Sequence, residues 1–146
     1  MESTENQTLT EAAARLTFSV QARLSGHAAT AGLSVQQARL LGFLRDREPT
    51  INEIAAGLGL DKSSASGLVD RAARRGLVGR TQNASDGRSV RILLLPEGRE
   101  LIEAANRAFE EDMHQLFSGL TPGEVREWTV LTYKLLSHDG EGPAPV

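Results

Sequence analysis

The chain has no cysteine, few aromatic residues (4%), and five prolines in 146 residues, none of them before position 49. Without cysteine there are no disulfide staples, thiolate zinc sites, thiol nucleophiles or cysteine-based redox sensors. No apolar run approaches the ~18 residues that a bilayer-spanning helix requires, so no membrane partner is expected. The opening residues lack the basic-then-apolar order of a secretory signal, which makes a cytoplasmic location the expectation. Histidine occurs only at His27, His114 and His138, too far apart for a local metal signature, and neither a metal nor another cofactor is expected. What the chain does have is a 40% apolar content. That is enough to fill one core, in a length suited to one compact domain with attached packing helices.

The net charge of −3 conceals a segregation. Residues 1–49 hold five basic and five acidic groups; residues 50–91 hold seven basic and four acidic; residues 92–146 hold four basic and ten acidic. A basic middle between a neutral start and an acidic end points to one anion-facing module on a scaffold that faces elsewhere.

Periodicity organises the rest. Leu9, Ala13, Leu16, Val20 and Leu24 recur at helical steps, so the first 30 residues read as one helix, broken at Gly32. Ser34 to Gln37 is a capping box that opens a second helix, with Val35, Ala38, Leu41 and Leu44 inward and an end near Asp46. Thr50 to Glu53 is another, opening a short helix with Ile51, Ile54, Ala55 and Leu58 inward. Gly59 ends it, Asp61 caps a fourth helix from Lys62 to Arg75, and Gly76 with Leu77 closes that one. Helix, three-residue glycine-containing turn, helix is the helix-turn-helix arrangement.

Residues 77–81 then read as a strand, Asp86-Gly87 as a hairpin tip, and residues 89–94 as the returning strand, which together make a wing. Pro96 fits the first turn of a long helix reaching about Ser118. Its stripe, including Leu101, Ile102, Phe109, Met113, Leu116 and Phe117, is wider than one small neighbour would cover. Thr121, Pro122 and Glu124 open a last helix with Val125, Trp128, Thr132, Leu135 and Leu136 inward. The expected fold is mainly α with a small two- or three-stranded β-wing: a winged helix-turn-helix with flanking helices. Its parts are an N-terminal helix (1–32), the winged helix-turn-helix lobe (33–95), C-terminal helices (96–138) and a flexible tail (139–146).

The fourth helix carries the chemistry. Ala65, Leu68, Val69 and Ala72 form its inner face. Lys62, Ser63, Ser64, Ser66, Gly67, Arg71 and Arg74 form the outer one. Short hydroxyls near the N-terminus let a helix end approach base edges, and unpaired amides there attract phosphate. Arginines further along reach guanine edges or the backbone. A solvated basic face would look the same in isolation; the preceding turn and the following ribbon favour the groove. Arg88 at the ribbon's end suits a minor groove, where the potential is most negative. Arg91 on the return strand is a further cation toward DNA. Asp70 and Asp86 are expected to brace Arg71 and Arg88 across the helix–wing junction rather than repel the duplex.

At these residues the sequence resembles the MarR family of winged helix-turn-helix transcriptional regulators. The likeness lies in the turn and recognition helix from Leu58 to Arg71, in the run from Arg74 to Val78, in Asp86-Gly87-Arg88 of the wing, and in Pro96-Glu97-Gly98. Two positions depart. Gly67 stands where the family often has a larger polar or basic residue, and Leu95 replaces the usual Thr, removing a side-chain N-cap worth about 1 kcal/mol. The resemblance implies a helical dimerisation region made of residues 1–32 and 96–138, a DNA-binding lobe at 33–95, and a homodimer reading an inverted-repeat operator with recognition helices about 34 Å apart. It also implies a repressor of transcription released by a small aromatic or anionic effector. Leu24, His27, Arg39 and Phe43 are candidates to line the effector crevice. Trp128 reads as a core or dimer-interface anchor.

Two other classes compete. An enzyme needs a nucleophile–base pair or a metal cluster, and neither is visible, so no enzymatic activity is expected. A winged-helix protein-interaction module without DNA affinity would lack the basic recognition face.

Overall fold

The computed structural model describes the backbone of residues 2–83 and 86–138, and the side chains of residues 8–82 and 89–138. The elements are α1 (Glu2–Thr30), α2 (Val35–Phe43), α3 (Ile51–Leu58), α4 (Lys62–Arg74), β1 (Val78–Asn83), β2 (Asp86–Leu94), α5 (Pro96–Leu116), a 3-10 turn (Phe117–Gly119) and α6 (Pro122–His138). The expected tail, residues 139–146, lies outside the described residues.

The caps form as the sequence specifies. Ser34 with Gln37, and Thr50 with Glu53, make both reciprocal hydrogen bonds of a capping box, which satisfies amides a helix start leaves unpaired. α1, α3 and α4 all end alike, at Gly-Leu pairs. Gly32, Gly59 and Gly76 have φ near +70°, and the following Leu33, Leu60 and Leu77 donate back to Ala28, Ala55 and Ala72 at 2.8, 2.8 and 3.0 Å. This is the left-handed glycine cap with its hydrophobic closure.

The core lies within residues 28–102, between α2, α3, α4 and the root of the wing. Leu40, Leu41, Leu44, Ile54, Val69, Leu77, Val78 and Ile92 are its largest fully buried side chains. Leu40 joins the inner face expected for α2, which is covered on more than one side, and the helix ends at Phe43 rather than near Asp46.

The wing has two antiparallel strands, not three; Ile92 N–H adds a single bond to the Pro49 carbonyl at 2.9 Å. Its register runs from Val78↔Leu94 to Gln82↔Val90 and then jumps to Asn83↔Asp86. Asp86 therefore pairs with Asn83 at the far end of the ladder.

Leu95 opens α5 without a side-chain cap. Its side chain instead lies against Gly79, where a Cβ would come within 3.3 Å of Leu95 Cδ2. Packing on β1 takes the place of the missing threonine hydroxyl.

Beyond the core the helices are unevenly covered. α1 packs chiefly on α5 and α2, yet Leu9 and Phe18 are 69% and 70% exposed. α6 buries no residue within the chain. The face expected to point inward there is open, with Leu135 72% exposed and Trp128 38% exposed against Phe117 at 4.6 Å. Among the described residues, Phe117 meets Trp128 and no position of that stripe is buried.

Candidate nucleic-acid interface

α3, the turn Gly59-Leu60-Asp61 and α4 form the helix-turn-helix. Asp61 accepts from the Ser64 amide and from the Ser64 hydroxyl, both at 2.8 Å. These bonds hold its carboxyl below the usual range, the amide bond contributing most. A carboxylate at this helix start also complements the positive end of the dipole. Ala65, Leu68, Val69 and Ala72 are buried. That fixes the rotation of α4 and turns Lys62, Ser63, Ser64, Arg71 and Arg74 to solvent, with Ser66 and Gly67 half-buried beside them. Ser64 thus serves the cap as well as the exposed face, and only its oxygen lone pairs remain to accept.

The cations of the basic segment divide into two sets. Arg75 donates to the Gly32 carbonyl at 2.8 Å and to Gln37 Oε1 at 3.1 Å. Arg80 on β1 pairs with Asp70 on α4. Arg91 on β2 reaches Glu53 Oε2 at 3.2 Å and the Glu48 carbonyl at 3.3 Å. Glu53 is itself held below the carboxylate range, first by the Thr50 amide and then by Arg91. Lys62, Arg71 and Arg74, by contrast, have no acidic partner among the described residues. The Arg71 guanidinium lies over Gly67, where a Cβ would stand 3.3 Å from Nη1. The glycine that departs from the family pattern makes room for the arginine one turn on.

The brace across the helix–wing junction exists with a different partner from the one expected. Asp70 holds Arg80, not Arg71, because Asp70 points toward β1 while Arg71 turns back along α4. Arg80 lies ten residues beyond Asp70 and across a change from helix to strand, so no local spacing announces the pair. The side chains of Asp86 and Arg88 lie outside the described residues. Arg91 is tied to the start of α3 and is half-buried.

The residues offered for an effector hold separate partners. His27 Nε2 contacts Asp112 Oδ2 at 2.9 Å and meets the Phe109 ring edge-on, with half-buried Leu24 one turn earlier on α1. Arg39 donates to the Leu58 carbonyl at 3.3 Å, at the end of α3. Phe43 is buried under Arg47, whose guanidinium sits 4.6 Å from the ring centroid. Leu24 and His27 share the α1–α5 side; Arg39 and Phe43 belong to the α2–α3 packing. Asp112 also accepts from Arg23 Nε at 3.1 Å. Its carboxyl is held below the usual range, chiefly by the His27 hydrogen bond.

Comparison with known proteins agrees with this geometry. The family model described as the MarR family matches residues 31–89. Among curated proteins, the uncharacterized HTH-type transcriptional regulator YsmB of Bacillus subtilis (strain 168) is 34% identical over 76 residues, 52% of each chain. The transcriptional repressor MprA of Escherichia coli (strain K12) is 28% identical over 86 residues, 59% of this chain and 49% of that protein. The chain spans about half the length of the curated relatives it matches. Among solved structures, a MarR family transcription regulator superposes with a TM-score of 0.83 at 20% identity, covering 96% of this chain and 93% of that one. CouR from Rhodococcus jostii RHA1, bound to p-coumaroyl-CoA, superposes at 0.71 with 27% identity over 84% of this chain and 87% of that one. Over residues 31–89, its helix-turn-helix and wing, the chain is similar to the MarR family of winged-helix regulators, and its fold as a whole is that of the solved structures it superposes on.

Proposed function

We propose that the chain is a homodimeric, sequence-specific DNA-binding regulator of transcription, most simply a cytoplasmic repressor released by a small aromatic or anionic ligand. The observation that carries DNA binding is the division of cations. Arg75, Arg80 and Arg91 are each engaged by a carbonyl or carboxylate of the chain, while Lys62, Arg71 and Arg74 stand on the outer face of α4 with no carboxylate partner among the described residues. Free guanidinium and ammonium groups beside the small Ser63, Ser66 and Gly67 suit a major groove, where they meet phosphates and guanine edges. In this reading Arg88 of the wing is a further DNA-contacting cation.

Residues 33–95 are the DNA-binding lobe in this reading, and residues 1–32 and 96–138 the dimerisation helices. The exposed Leu9, Phe18, Val130, Leu131, Tyr133 and Leu135 support it, because so much open apolar surface is unusual for a monomer. Repression and ligand release are supported by likeness to MprA, named a repressor, and to CouR, solved with a CoA ester. A ligand would act by favouring a dimer whose lobe spacing mismatches the groove, and only by its differential affinity for the two forms. Leu24 and His27, on the α1–α5 side, are the nearer candidates for that contact. No enzymatic role is proposed.

The test is binding to duplex DNA across salt concentrations. Lys62→Ala and Arg74→Ala should each lower the slope of log affinity against log salt by about one where the residue meets a phosphate. A wild-type chain with no salt-dependent affinity for any duplex would instead favour a protein-interaction module.

A further inference from the structure

By composition Arg75 counts among the phosphate-facing cations, but its surroundings give it another role. The cap that ends α1 pairs Gly32 N–H with Ala29 and Leu33 N–H with Ala28, which leaves the Gly32 carbonyl free at the negative end of a 29-residue helix. The Arg75 guanidinium, from the C-cap of α4, fills that place: Nη1 donates to Gly32 O at 2.8 Å and to Gln37 Oε1 at 3.1 Å. The same Gln37 oxygen accepts the Ser34 amide at 3.1 Å, so one guanidinium holds both ends of the turn joining α1 to α2. α1 otherwise packs chiefly on α5 and α2 rather than α4. Its C-terminal half is fixed to α5 through Asp112, which takes Arg23 and His27 together. The long helix is thus tied at one end to the C-terminal frame and, through Arg75, to the recognition helix.

We propose that Arg75 is a positioning residue that sets the angle between α1 and α4, and through α1 the separation of the two recognition helices in the dimer. The second half rests on the homodimeric DNA-binding reading above; the angle within one chain does not. Arginine suits the task because its rigid, planar fork directs two donors from one nitrogen in a fixed geometry, whereas the lysine ammonium carries donors on a flexible stem without that plane.

The natural absence of cysteine permits a direct measurement. Spin labels at Arg15→Cys on α1 and Lys62→Cys on α4, in a chain diluted into excess unlabelled protein, report the distance between the helices within one molecule. The expected distribution is single and narrow, and Arg75→Lys and Arg75→Gln should each broaden and shift it. With the unlabelled chain and a random-sequence duplex, Arg75→Gln should leave the salt slope of binding unchanged. Distributions identical to wild type in both variants would overturn the proposal, as would a slope lower by about one, the mark of a lost phosphate contact. Circular dichroism identifies unfolding; should Arg75→Gln unfold, Arg75→Lys decides. Were the wild-type chain to ignore duplex DNA, the preceding reading would fall, and the distance distribution alone would decide the role of Arg75.

Discussion

At Gly98 the start of α5 is pressed against the start of β1. A Cβ there would sit 2.2 Å from the Leu77 carbonyl oxygen, the atom that also accepts the Leu95 amide at 3.0 Å. Gly98→Ala must move backbone rather than a side-chain tip. It should cost about 1–3 kcal/mol, seen as a lower urea midpoint at unchanged slope. A different set of residues sets the acid limit. Glu53, Asp61 and Glu124 are held low chiefly by the amides of Thr50, Ser64 and Thr121, and Asp112 by His27. A depressed carboxyl resists protonation in the folded state more than in the unfolded one. The stability it contributes is therefore present above its unfolded pKa and lost as pH falls through its folded one. Denaturation midpoints should hold from neutral pH to about 4 and decline below it, with a shallower decline in Asp61→Asn.

Among elements, the helix starts and stops were the most readable. Capping boxes at Ser34 and Thr50 and Gly-Leu pairs at 59 and 76 are local chemistry, and the folded chain makes each of those bonds. The third such pair, at 32, reads from sequence only as a breaker, yet it forms the same cap. Pairings across elements were less readable. Asp70 with Arg80, Arg91 with Glu53, and Arg75 with Gly32 join residues ten to forty-three positions apart, and no periodicity encodes them. The wing's register was not readable either: it jumps from Gln82↔Val90 to Asn83↔Asp86, and no alternation in the sequence encodes that. The Asp70–Arg80 pair is exposed on both sides, at 54% and 43%, so Asp70→Asn should change the melting temperature little, as exposed pairs are worth ~0–1 kcal/mol. Its effect should appear in the wing, as faster amide hydrogen exchange along β1 and β2. Unchanged exchange would mean the ladder holds the wing without the brace.

For the whole molecule, the winged helix could be read because its apolar faces close on one another within the chain. The helices around it could be read as helices but not as a packed unit: among the described residues of one copy, α6 buries no side chain. Function divides the same way. The free cations follow from which face of α4 the core buries, whereas an effector site depends on groups that the fold disperses among α1, α2 and α5. The most direct measurement is selection of bound duplexes from a random pool by the purified protein. The expected product is an inverted repeat whose half-site centres lie about 10 base pairs apart, one recognition helix to each half. A pool that stays random after successive rounds, or converges on a single asymmetric site, would contradict a dimer reading DNA through Lys62, Arg71 and Arg74.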